Sequence, residues 1–83
     1  MDKREELAQT ILDYEEVGYY DLFDAYNTKD EAFEAILSSV SDAREVRKLR
    51  RYYNDILCYE SISDEEKPLL ERINELCEQI INE

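Results

Sequence analysis

Nearly all the side chains able to do chemistry in this sequence are carboxylates: 22 Asp and Glu stand against 10 Lys and Arg, with no His, for a net charge of −12 at pH 7. Without His, a Ser or Cys nucleophile lacks its usual base near neutral pH. The single glycine, Gly18, excludes a Gly-rich phosphate loop, a dinucleotide fingerprint and an EF-hand loop. The run Asp21, Asp24, Asn27, Asp30, Glu31 has the ligand types for calcium at the wrong spacing. Carboxylate pairs of the glycosidase kind require a substrate cleft, which a small closed bundle seldom provides. Cys58 and Cys77 are too few for a disulfide framework or a zinc site and read as reduced thiols. The sequence thus predicts a protein that binds rather than catalyses, with no catalytic residue, cofactor or metal.

The distribution of charge is more informative than its sum. From Glu5 to Thr28 there is no Lys or Arg, while Glu5, Glu6, Asp13, Glu15, Glu16, Asp21 and Asp24 are all acidic. Tyr20 sits among them, off the apolar stripe of its segment, as an exposed aromatic in a carboxylate patch. Near the C-terminus Glu71, Glu75 and Glu78 fall at i, i+4 and i+7, which sets them in a row on one helical face. Like charges so spaced cost about 0.2–0.5 kcal/mol per pair, and Glu78 and Glu83 also approach the negative end of the helix dipole. Stability alone favours Lys there. The expected partner-binding residues are therefore Asp13, Glu15, Glu16, Tyr20, Asp21, Asp24, Glu71, Glu75 and Glu78.

The segment from Asp42 to Arg51 reverses the sign. Five bases, Arg44, Arg47, Lys48, Arg50 and Arg51, face two acids there, a net +3 that leaves −15 for the other residues. Arg44, Arg47, Lys48 and Arg51 form a stripe opposite Val46, Leu49 and Tyr53. Two roles are open to it: pairing with the protein's own acidic helices, or docking an acidic peptide or an acidic row on a second copy. Nucleic acid is disfavoured, because the surrounding charge repels phosphate.

These residues need helices to position them. With one Gly and one Pro, and apolar residues recurring at helical spacing throughout, the chain predicts an all-α fold: a compact bundle of four main helices plus one short helix, without a sheet. The first helix, over about 2–16, lines one face with Leu7, Ala8, Ile11 and Tyr14, and a short helix over about 19–26 follows Gly18. Thr28 and Glu31 match a capping box ahead of Phe33, Ile36, Leu37 and Val40. Ser41 is the expected N-cap of a helix over about 42–58 carrying Val46, Leu49, Tyr53, Ile56 and Leu57. The last helix has Leu69, Leu70, Ile73, Leu76, Cys77, Ile80 and Ile81 as its seam, and Pro68 suits its first position, after a separate turn at Ser63. Apolar residues make up 43% of the chain, too many for a disordered segment, and 83 residues suffice for one domain.

No targeting or membrane-spanning run is visible, which points to the cytoplasm. No motif carries a family resemblance. Charge and size alone match inhibitors of the DNA-mimic kind, which phages and mobile elements direct against restriction or CRISPR nucleases by filling a basic nucleic-acid groove. The expected partner is thus a basic protein surface, such as that of a nuclease or another nucleic-acid-binding protein, with no direct contact to nucleic acid or membrane. An immunity protein for a basic toxin nuclease obeys the same physics. The alternative is a regulatory or assembly module, acting on another protein or as a homodimer through apolar and Tyr-rich surface.

Overall fold

Local signals in the chain set where each helix starts. The computed structural model describes residues 2–17, 26, 28–59 and 61–83, with the side chain of residue 59 excepted. These contain four helices, α1 (Lys3–Val17), α2 (Lys29–Val40), α3 (Ala43–Tyr59) and α4 (Glu66–Ile81), and no strand. The all-α bundle is as the periodicity predicts. The short helix expected over 19–26 lies outside the described residues apart from Tyr26, which packs half-buried against the core.

At the start of α1 the Asp2 carboxylate accepts from the Glu5 N–H at 2.9 Å, and the Asp2 carbonyl accepts from the Glu6 N–H. The first of these bonds is the main reason its carboxyl lies below its usual range. The Thr28 hydroxyl accepts from the Glu31 N–H at 3.1 Å, so α2 opens where the capping signature places it.

Two start signals are corrected. Ser41 does not cap α3; it closes α2, with helical backbone angles and its hydroxyl donating to the Leu37 carbonyl. Asp42 takes the role instead, its carboxylate accepting from the Arg44 N–H at 2.9 Å and its carbonyl from the Val46 N–H. The connection is so short that Ser41 is still held in the last turn of α2, whereas an N-cap needs an extended backbone. At α4, Pro68 is the third helical residue rather than the first. Ser63 and Glu66 do form a reciprocal turn, the Ser63 hydroxyl accepting from the Glu66 N–H and donating to the Glu66 carboxylate. Since the first four N–H groups of a helix have no intrahelical partner, Pro68 loses nothing at the third position.

The helices ring a single core. α1 packs broadly on α4 and α2, α3 packs broadly on α4, and the α2–α3 seam is the looser one. Because α1 touches neighbours on two sides it buries more than the predicted stripe: Thr10 and Leu12 are inside along with Leu7, Ala8, Ile11 and Tyr14. The buried Thr10 hydroxyl is satisfied by the Glu6 carbonyl at 2.7 Å. From the other helices come Ala32, Ile36, Val40, Val46, Tyr53, Leu70, Ile73, Leu76, Cys77 and Ile80, with Phe33, Leu37, Leu49, Ile56, Leu57, Leu69 and Ile81 at its margin. No helix among the described residues is long and apolar enough to cross a membrane.

Candidate functional site

The acidic residues of α1 do not make the base-free face that their sequence suggests. Asp13 accepts a hydrogen bond from the Gln9 amide at 3.0 Å, and Glu16 pairs with Lys29 of α2 at 2.8 Å. Glu15 is turned inward, where it accepts from the Tyr53 hydroxyl at 3.2 Å. Its burial raises its carboxyl above the ordinary value, and the Tyr53 hydrogen bond offsets this only in part. Glu6 pairs with Arg72 of α4. Bases absent from the segment in sequence thus arrive from other helices. Tyr20, Asp21 and Asp24 lie outside the described residues.

The row on α4 does face outward as predicted. Glu71, Glu75 and Glu78 are all exposed, directed away from the seam of Leu70, Ile73, Leu76, Cys77 and Ile80. Glu75 is joined to Arg72 at 3.1 Å and accepts from Gln79, while Glu78 is held by Arg50 of α3. Both side chains are still about half exposed, and Glu71 has no ion-pair partner among the described residues. The repulsion expected within the row is therefore relieved by Arg50, which crosses from α3 to Glu78, and by Arg72, which meets Glu75 one turn away on α4 and also crosses to Glu6 of α1. Periodicity alone does not reveal the two crossings. What could have indicated them is position: each is a base on the flank of an apolar stripe, able to reach a neighbouring helix.

Among the described residues the basic stripe on α3 makes no ion pair with the acidic residues of the other helices. Lys48 pairs with Glu45 one turn away on its own helix at 3.4 Å. Arg44, Arg47 and Arg51 are exposed, with no ion-pair partner among the described residues. The base that crosses to α4 is Arg50, which lies beside the stripe. Arg47, Arg50, Arg51 and Asn54 line a shallow depression of about 240 Å³.

A second hollow, about 220 Å³, opens on the looser α2–α3 seam and is lined by Ile11, Glu15, Tyr26, Ile36, Leu49 and Tyr53 among others. It falls below the roughly 300–1,000 Å³ of ordinary ligand pockets. Among the described residues no three His, Cys, Asp or Glu side chains converge to hold a metal ion. No family model, curated protein or solved structure matches the chain.

Proposed function

We propose that this protein binds a basic surface on another protein through its outward carboxylates, in the manner of an inhibitor that mimics DNA, and that it does so without catalysis. The outward row of Glu71, Glu75 and Glu78 on α4 carries this reading. Residues one turn apart on a helix stand about 5–6 Å from each other, close to the repeat of phosphates along a nucleic-acid strand. Glu71 is exposed with no ion pair among the described residues, and Glu75 and Glu78 keep part of their surface open despite their clamps. Beyond the row, Asp30 and Glu34 on α2 and Asp64 and Glu65 before α4 are exposed, with no ion pair among the described residues. A net charge of −12 then steers the molecule toward positive surfaces at long range.

The test begins with a partner recovered by pull-down from the source cell and titrated at two ionic strengths, with and without duplex DNA. Binding should weaken as salt rises and should compete with DNA. Glu71→Lys, and separately Asp21→Lys with Asp24→Lys, should each weaken binding and leave the helical circular dichroism unchanged. Affinity indifferent to salt, to DNA and to both sets of reversals would overturn the reading in favour of an assembly module docking through apolar surface.

A further inference from the structure

We infer that the hollow on the α2–α3 seam is an anchor pocket, which takes one lysine or arginine side chain of the basic partner proposed above. The inference rests on that reading and deepens it. The hollow, about 220 Å³, is walled by Ile11 of α1, Ile36 of α2 and Leu49 of α3, together with Tyr26 and Tyr53. Among these walls stands one carboxylate, Glu15. Its hydrogen bond comes from a neutral donor, the Tyr53 hydroxyl at 3.2 Å, and no base among the described residues lies close enough to steady its charge. Burial raises its carboxyl above the ordinary value, so the ionised form stands there at a cost to the fold. What a half-buried carboxylate of this kind lacks is a cation that enters the hollow and displaces water from it.

The chemistry of the walls selects the occupant. An aliphatic stem tipped by an ammonium or guanidinium group matches apolar walls that hold one carboxylate, and tyrosine rings are favourable neighbours for the cation. The volume suits a single side chain, being below the roughly 300–1,000 Å³ of pockets that take a whole small molecule. The neighbouring segment of this chain cannot supply the cation, since no Lys or Arg occurs from Glu5 to Thr28, and Lys29 pairs with Glu16. A second copy is disfavoured because two bodies of net charge −12 repel each other, whereas the same charge attracts a basic surface. Gln at position 15 would serve Tyr53 as an acceptor without the burial of a charge. Only a cation requires Glu.

The experiment uses the full chain and two probes, n-butylguanidinium and its neutral counterpart n-butylurea, followed by NMR shifts of the residues lining the hollow. The cation should bind with a Kd on the order of millimolar, about tenfold or more tighter than the urea, the difference expected of one partly desolvated charged contact. Glu15→Gln should abolish that preference. Ala35→Leu, which fills the hollow and keeps the carboxylate, should abolish binding of both probes. Against the partner recovered by pull-down, each variant should weaken binding about tenfold or more. Should Ala35→Leu disturb the fold, Glu15→Gln decides alone, since it keeps the acceptor for Tyr53. No binding of the cation, equal binding of the two probes, or a preference that survives Glu15→Gln would each overturn the inference. Partner affinity that falls on Glu71→Lys and not on Glu15→Gln overturns the anchor and leaves the acidic-surface reading standing, while the opposite pattern overturns the α4 row and upholds the anchor. Micromolar binding of free n-butylguanidinium would mark a small-molecule site, and a dimer in sedimentation that Glu15→Gln dissolves would seat a second copy. Either result overturns the assignment to a partner's side chain.

Discussion

Glu15 is a half-buried carboxylate whose burial disfavours its charged form. The Tyr53 hydroxyl donates to it, and the Tyr53 ring meets Tyr14 edge-on at 5.6 Å, so helices on opposite sides of the bundle are joined by one side chain. With the Glu15 carboxyl raised above 4.5, the folded state holds more protons than the unfolded state in the window just above that value. Its contribution to stability is therefore greatest below the window and falls as pH rises through it. Glu15→Gln keeps an acceptor for Tyr53 and removes the ionisation. In urea unfolding across a pH series, the variant should match the parent near pH 4 and gain on it as pH rises, then hold a constant advantage. A variant less stable than the parent at neutral pH would show that the carboxylate is favourable as placed. Tyr53→Phe should cost about 1 kcal/mol, the usual worth of one hydrogen bond. The thiols differ in the same sense: Cys58 is exposed, whereas burial pushes Cys77 up to about 11 against a slight opposing pull from Arg50. A thiol reagent should label Cys58 rapidly in the native protein and Cys77 only as fast as the bundle opens.

Helix ends test which residue holds each element in place. If Asp42 caps α3, then Asp42→Ala should cost about 1 kcal/mol in chemical denaturation, and Ser41→Ala, which removes only a hydroxyl bonded back to Leu37, should cost less. The reverse order would reinstate Ser41. Within α4, Ile73 is fully buried, and Ile73→Ala should cost about 2–5 kcal/mol, close to the whole stability of a small domain. The seam of Ile73, Leu76 and Ile80 was legible because its apolar residues recur at the helical period. The end of α2 was not, since Ser41 and Asp42 are adjacent and both suit an N-cap, and only the backbone conformation separates them. The candidate site was readable in one half for the same reason. Glu71, Glu75 and Glu78 share a face by spacing alone, but the neutralisation of Glu6 depends on Arg72, 66 residues away. Nothing in a linear charge run encodes such an encounter. No described helix has a base in its last turn, and the end of α4 draws its positive charge from Arg4 of α1 and Arg50 of α3.

At the scale of the whole molecule, short-range attraction and long-range repulsion respond differently to salt. The ion pairs are partly exposed contacts such as Arg4–Glu83 at 3.2 Å and Arg72–Glu75 at 3.1 Å, each worth about 0–1 kcal/mol. Against them stands a net charge of −12 within a body of 31 × 31 × 20 Å. The screening length falls from about 30 Å at 0.01 M salt to about 8 Å at 0.15 M, from the full width of the molecule to a fraction of it. Repulsion between distant carboxylates is therefore damped first, while contacts near 3 Å are weakened less. The melting temperature should rise between 10 and about 150 mM sodium chloride, and a fall over that range would mean that ion pairs outweigh repulsion. Glu71→Lys should raise the melting temperature at low salt and gain little at high salt, because it removes a like charge from the α4 row. The same substitution is expected to weaken binding to a basic partner. A carboxylate that costs stability and supports binding has a reason to be retained; if Glu71→Lys stabilises the fold and leaves binding untouched, the α4 row serves solubility instead.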